Sequence, residues 1–304
     1  MRIRIVKTSQ PAFKSLLARI LQRRGSREGE VEKRVGEILR AVQKTGDRAL
    51  ARYTELFDRV RLTRSSMEVK PSEIEGAMKK VPAKDLLTLR LAARRIAAFH
   101  RRLLQKSWQY RDPIGMLLGQ RITPLERVGI YVPGGKASYP STVLMNAIPA
   151  QVAGVERIAV VTPPKALEEN PLIAAALDLL GIEEVYRVVG AQAIAALSYG
   201  TESIRPVDKI VGPGNAYVQA AKRMAYGIVD IDMTAGPSEV AIIADESCDP
   251  AWIAADLLAQ AEHDEMAGVW MVCWSESLAA AVFDEVQVQL PSLGREVIAR
   301  AGND

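Results

Sequence analysis

Apolar residues in the first part of the chain recur at helical spacing. Val31, Val35 and Ile38 lie on one face of a predicted helix, and Gly46 stands where that helix would end. A longer helix with the same spacing is predicted after Pro82. The pattern therefore predicts a helical N-terminal region.

Near Val128 the pattern changes to short apolar runs that alternate with glycine turns and apolar helices. Strands are predicted at 128–132, 158–161, 185–189 and 209–211, and further on at 229–232, 239–244 and 269–273. Strands that are separated by helices at this rhythm predict a mainly parallel sheet with helices against it. In such sheets ligands bind beyond the carboxyl ends of the strands, where the turns 133–135 and 212–215 lie.

The composition is that of a globular protein. Of the 304 residues, 48% are hydrophobic and 25% are charged, which is wrong for a disordered chain. No apolar run is long enough to span a membrane, and the N-terminus lacks a secretory signal. Two cysteines are too few for a disulfide framework. We therefore expect a cytoplasmic protein that has no membrane partner.

A net charge of +4 raises the question of nucleic-acid binding. The basic residues cluster at 19–27 and 90–102, within predicted helices and interleaved with apolar positions. No recognised nucleic-acid motif accompanies them. Solvated helix faces or a subunit contact explain these clusters, so no nucleic-acid partner is expected.

Two turns contain residues that suit ligand binding. The Gly-Pro-Gly-Asn turn at 212–215 lacks the third glycine of the dinucleotide fingerprint, because Tyr217 stands at that position. The N–H groups at the start of the following helix suit an anion, although a plain structural turn explains the sequence equally well. Ser238 lies in a second turn, where it would either bind substrate or only satisfy the turn.

Gln260 and His263 are three residues apart on a predicted helix that Asp249 caps and Pro250 begins. Imidazole is the commonest metal ligand, and an amide oxygen can share a zinc ion with it. Two donors do not complete a zinc site, however, because a catalytic zinc takes about three protein ligands. A metal site and a capped, partly buried helix end are therefore both open interpretations.

Six segments make the chain resemble the histidinol dehydrogenases, the zinc- and NAD-dependent enzymes that end histidine biosynthesis. In chain order they are RVGIYVPGG (127–135), PSTVLM (140–145), GAQAIAAL (190–197), KIVGPGNAYV (209–218), AGPSEV (235–240) and DLLAQAEH (256–263). The resemblance implies a four-electron oxidation of L-histidinol to L-histidine, in which two NAD are reduced one after the other. It also implies a homodimer.

The resemblance assigns roles to particular residues of this sequence. Three match positions that contact NAD: Tyr131, Gln192 and Asn215. Gln260 and His263 match zinc ligands that also touch the substrate, and Ser238 matches a substrate-binding position. These roles are implied by the resemblance and not by the spacing.

The fold implied by the resemblance is α/β, with two Rossmann-like subdomains, the first incomplete here, and a helical N-terminal region. An N-terminal arm would cover 1–25. A helical and α/β subdomain, truncated in this chain, would combine 26–130 with 240–304. A Rossmann-like NAD-binding subdomain would cover 131–239.

The sequence departs from the family's pattern at its end. Members continue past the position of Asp304 with an adjacent Glu-His pair for acid–base work and two further zinc ligands. No catalytic residue of the family falls within this sequence, and we expect the chain to lack turnover alone. Two other hypotheses stay open: a non-catalytic NAD- or ligand-binding module that another polypeptide completes, and an anion-binding transferase that uses the glycine turns.

Overall fold

The computed structural model describes residues 3–22, 28–134, 140–234, 239–263 and 267–301. The helices are α1 Pro11–Gln22, α2 Glu28–Thr45, α3 Asp47–Asp58, α4 Arg64–Met67, α5 Pro71–Met78, α6 Ala83–His100, α7 Pro140–Val152, α8 Ala166–Glu169, α9 Pro171–Leu179, α10 Gly190–Tyr199, α11 Ala216–Ala225, α12 Pro250–Ala261, α13 Glu276–Gln289 and α14 Glu296–Ala301. The strands are β1 Trp108–Arg111, β2 Leu117–Gln120, β3 Arg127–Tyr131, β4 Arg157–Val161, β5 Glu184–Tyr186, β6 Lys209–Val211, β7 Asp230–Ile231, β8 Glu239–Ala244 and β9 Gly268–Cys273. Within these ranges no helix combines the length and apolar character needed to cross a membrane.

The chain forms two compact units. The larger is Gly29–Thr234, and the smaller combines Met1–Glu28 with Ala235–Asp304. In the larger unit five parallel strands form a sheet in the order β5-β4-β3-β6-β7. The chain runs outward from β3 through β4 to β5, then returns to the other side of β3 as β6. The carboxyl ends of β3 and β6 therefore form the topological switch point, where open α/β sheets bind ligands.

Helices cover both faces of this sheet. Side chains of β3 alternate between the faces, as the period of a strand requires. Ile130 joins a core cluster with α5, α6, α7 and α9, whereas Tyr131 joins a cluster with α2, α3, α10 and α11. Strands that are short, aliphatic and buried on both faces are typical of such a sheet. The structure confirms the parallel sheet that the sequence pattern predicts.

The N-terminal helices α2 to α6 belong to the larger unit, which differs from the division that the resemblance implies. That division grouped 26–130 with 240–304. In the structure Leu50 of α3 is buried in the cluster on one face of the sheet, and Leu89 of α6 is buried in the cluster on the other face. The physical reason is that each face of the sheet needs an apolar cover, and these helices supply part of it.

The smaller unit is built around β8 and β9, which pair in parallel and are connected by α12. Its core contains Leu258 of α12, Val269 of β9 and Val282 of α13. Asp249 caps α12 as predicted, because its Oδ1 accepts the N–H of Ala251 at 2.8 Å. The strands and the helix that the sequence predicts for this region are confirmed.

The antiparallel hairpin of β1 and β2 is not predicted by the sequence pattern. Its turn is held by Asp112, whose Oδ1 accepts the N–H groups of Ile114 and Met116 at 3.1 and 2.8 Å. All residues of both strands are exposed. β1 does alternate apolar and polar residues, as Trp-Gln-Tyr-Arg, but it is only four residues long, and β2 reads Leu-Leu-Gly-Gln without alternation, so the pattern did not single out this pair of strands.

Candidate functional site

The turn that follows β6 closely approaches the end of β3 at the switch point. Gly212, the first residue after β6, adopts a φ of +115°, which only glycine tolerates readily. A Cβ added to Gly212 would lie 2.3 Å from the carbonyl oxygen of Tyr131, the last residue of β3. Only a glycine at position 212 therefore lets this turn come so close to the end of β3.

Tyr131 connects this turn to the start of α10. Its side chain is buried, and its hydroxyl oxygen accepts the N–H of Gly190 at 3.1 Å. Burial raises the pKa of Tyr131 to about 12; the Gly190 N–H opposes the rise, and the nearby Asp58 carboxylate adds to it. The hydroxyl therefore stays protonated at neutral pH and can donate a hydrogen bond to a ligand.

Gln192 lies on the first turn of α10, two residues after Gly190, and only 1% of it is exposed. Its Oε1 atom is buried and has no hydrogen-bond partner among the described residues. Buried amide oxygens in folded proteins nearly always have a partner, and an unpaired one costs about 1–3 kcal/mol. A ligand that presents an N–H or O–H group to Gln192 would supply the partner. The site therefore suits a dinucleotide, whose ribose hydroxyls and carboxamide are such donors.

Asn215 has a structural role that the sequence does not assign to it. It is the N-cap of α11, and its Oδ1 accepts the N–H groups of Tyr217 and Val218, each at 3.1 Å. This fixes the start of α11 directly after the Gly212 turn, at the same edge of the sheet as Tyr131. Its contact with NAD stays a prediction.

Lys222 and Asp232 hold the Gly212 turn, and the sequence analysis missed both. Lys222 is fully buried; its Nζ donates to the Gly212 carbonyl oxygen at 3.0 Å and forms an ion pair with Asp232. The other carboxylate oxygen of Asp232 accepts the Gly212 N–H at 2.8 Å. A signal was present, since Lys222 lies four residues after Val218 and three before Ala225, on the apolar stripe of α11.

Gln260 and His263 lie in the smaller unit, at the end of α12. The His263 N–H donates to the Gln260 carbonyl oxygen at 3.2 Å, so the helical turn continues through both residues. The His263 Nδ1 lies 2.8 Å from the Ala259 carbonyl oxygen. A carbonyl oxygen can only accept, so Nδ1 carries the proton and Nε2 is left with the lone pair that a metal binds.

The described residues hold no cluster of three His, Cys, Asp or Glu side chains suited to a metal. Gln260 and His263 offer an amide oxygen and an imidazole nitrogen, a donor pair that suits zinc, and a zinc ion needs further donors besides these two. Ser238, the predicted substrate contact, falls outside the described ranges.

The family model for histidinol dehydrogenase matches residues 21–303 of the chain. The chain belongs to the histidinol dehydrogenase family. It is 49% identical over 302 residues to the histidinol dehydrogenase of Syntrophotalea carbinolica, and the match covers 99% of this chain and 70% of that protein. The histidinol dehydrogenase of Brucella suis is 50% identical over 296 residues, which cover 97% of this chain and 69% of that protein.

A solved structure supports the same family. The crystal structure of histidinol dehydrogenase from Elizabethkingia anophelis is 39% identical and matches with a TM-score of 0.83 over 90% of this chain and 63% of that one. This confirms the α/β fold that the resemblance implies. The chain spans between 63% and 70% of the length of these three relatives.

Proposed function

We propose that the protein takes part in the NAD-dependent, zinc-assisted oxidation of L-histidinol to L-histidine in histidine biosynthesis, with acid–base groups that the residues named here do not supply. Family membership supports the reaction. The observation that carries the cofactor assignment is the buried, unpaired Oε1 of Gln192 beside Tyr131, at the switch point of a parallel sheet. Bound NAD would accept hydride from the substrate.

The residues at the switch point would bind and orient the dinucleotide. The Tyr131 hydroxyl offers a proton, and the Gln192 amide oxygen offers an acceptor in a site from which bulk water is excluded. Asn215 fixes the start of α11, and the N–H groups at that helix N-terminus suit the negatively charged pyrophosphate. In this proposal Tyr131, Gln192 and Asn215 are the cofactor-binding residues.

Zinc and substrate would bind at the end of α12. His263 would coordinate zinc through Nε2, because the Ala259 carbonyl fixes the proton on Nδ1. Gln260, Ser238 and His263 would contact L-histidinol. Bound zinc would polarise the alcohol oxygen of the substrate. Since two side chains do not complete the metal's coordination, the proposal requires further ligands from elsewhere.

We further infer that the protein is a cytoplasmic homodimer. Trp108 and Tyr110 of the β1–β2 hairpin lie on one face of it, their rings stack with centroids 6.2 Å apart, and each residue is more than half exposed. Large apolar side chains grouped on the surface of a soluble protein are typical of an interaction site. No nucleic acid or membrane is part of the proposal.

His263→Ala is expected to weaken zinc binding by about 100-fold or more, because loss of even an outer-shell partner of a zinc ligand costs roughly 10- to 100-fold. The measurement is competition for zinc against a chromophoric chelator, with and without L-histidinol. The matched control is His100→Ala, which removes the other histidine, at the end of α6. Equal zinc affinity for the two variants would contradict the metal assignment.

A further inference from the structure

Asp58, the last residue of α3, carries a buried carboxylate oxygen that no described residue satisfies. Its Oδ2 is buried without a hydrogen-bond partner among the described residues. Of the two arginines that follow it, Arg61 is paired with Glu55 at 2.6 Å, and Arg59 uses its backbone N–H to close α3 on the Glu55 carbonyl. Asp58 as a whole is half-buried, but its Oδ2 is shielded from water, and an unpaired buried carboxylate oxygen is costly, so this atom requires a physical explanation.

Asp58 belongs to the same neighbourhood as the cofactor-binding residues. Helix α3 packs against α10, the helix that carries Gln192, and Tyr53 of α3 shares a core cluster with Tyr131. The Asp58 carboxylate is also close enough to the Tyr131 hydroxyl to affect its ionisation. Burial raises the pKa of Asp58 itself, which shows that its own surroundings do not stabilise the charge.

The unsatisfied groups define what kind of ligand would fit. Gln192, which is 1% exposed, presents a buried amide oxygen that can only accept a hydrogen bond. Asp58 presents a buried carboxylate oxygen, which accepts a hydrogen bond when the group is ionised. The Tyr131 hydroxyl between their two helices has already accepted one N–H and still has its own proton to donate. Vicinal hydroxyls, which donate and accept at once, match this set of two acceptors and one donor. Ribose carries such a pair.

We propose that Asp58 is a further cofactor-binding residue, whose inward carboxylate oxygen accepts a hydrogen bond from a ribose hydroxyl of the dinucleotide. The inference rests on the proposed function and deepens it. In other dinucleotide-binding folds a carboxylate on the ribose diol favours NAD and disfavours a 2′-phosphate, because the two negative charges repel. Asp58 therefore also contributes to selecting NAD over NADP.

The test compares Asp58→Ala and Asp58→Asn with the wild-type chain by calorimetric titration with NAD and with NADP. Loss of a hydrogen bond to a charged acceptor is expected to weaken NAD binding about tenfold in Asp58→Ala. Asp58→Asn removes the charge and keeps the shape of the side chain, so it is expected to reduce the difference between the affinities for NAD and for NADP. Asp178→Ala, which removes an exposed acid from α9 on the opposite face of the sheet, leaves both affinities unchanged.

Thermal melting of the ligand-free variants separates cofactor binding from a structural role. Because the carboxylate is unpaired, Asp58→Asn is expected to keep or raise the melting temperature while it weakens NAD binding. A lowered melting temperature with unchanged NAD affinity overturns the inference. If the wild-type chain binds NAD and both Asp58 variants bind it with the same affinity, the inference about Asp58 is overturned and the proposed function is unaffected. Failure of the wild-type chain to bind NAD overturns the proposed function and this inference together.

Discussion

Gly212→Ala is expected to lower the free energy of unfolding by about 3 kcal/mol or more and to abolish measurable NAD binding. At a φ of +115° the added Cβ would lie 2.3 Å from the Tyr131 carbonyl oxygen. Both atoms belong to the backbone or are attached directly to it, so no side-chain rotation relieves the clash. The turn after β6 would have to move away from the end of β3, which opens the switch point. Urea unfolding measures the stability loss.

The control for this prediction is Gly181→Ala. Gly181 also has a positive φ, +63°, but a Cβ there would meet nothing within 4 Å. Gly181→Ala is expected to lower the free energy of unfolding by about 1–2 kcal/mol, because only backbone strain is added, and to leave NAD binding intact. The difference between the two variants isolates the clash with Tyr131. Equal stability losses would show that the close approach of Gly212 to the end of β3 does not matter for stability.

Lys222→Met is expected to lower the free energy of unfolding by about 3–5 kcal/mol, which is the usual loss when one partner of a buried ion pair is removed. The methionine fills most of the volume of the lysine, but the Gly212 carbonyl loses its donor and Asp232 loses its cation. Because both groups hold the Gly212 turn, NAD affinity is expected to fall with the stability. Chemical unfolding and calorimetric titration of the same variant measure both effects.

Lys209→Met is the matched control. Lys209, on β6 in the same sheet, pairs with Asp230 at 2.8 Å, but the two side chains are 31% and 51% exposed. Solvent-exposed pairs contribute about 1 kcal/mol or less, so this variant is expected to be nearly as stable as the wild-type chain. If Lys222→Met were no more damaging than Lys209→Met, the ion pair would not hold the turn.

The order of the parallel strands and of the helices between them could be predicted from the sequence, because it depends on local patterns, whereas the β1–β2 hairpin was missed. The glycine turns after β3 and β6 and the cap on α12 were predicted for the same reason. The end of β5 was not predicted correctly, because the sequence pattern predicts a strand at 185–189 whereas β5 ends at Tyr186. The next residue, Arg187, donates its backbone N–H to Met67 at 2.8 Å, a contact between segments far apart in the sequence.

The parts of the site that the sequence did not reveal all depend on distant contacts. Lys222 lies on the apolar stripe of α11, which marks it as unusual, but only the structure shows that its partners are Gly212 and Asp232. Asp58 ends an amphipathic helix, where an exposed acid is the normal expectation. That its Oδ2 is buried and unpaired can be recognised only from the structure, in which α3 packs against α10.

The central claim is that the switch point between β3 and β6 binds NAD. The most direct test is calorimetric titration of the chain with NAD, for the wild type and for Gln192→Leu, which fills the same space without the buried amide oxygen. Saturable binding by the wild type and a loss of about tenfold or more in Gln192→Leu, with no loss of stability, is the predicted result. Identical NAD affinities, or no NAD binding together with tight binding of a phosphorylated metabolite, would contradict it.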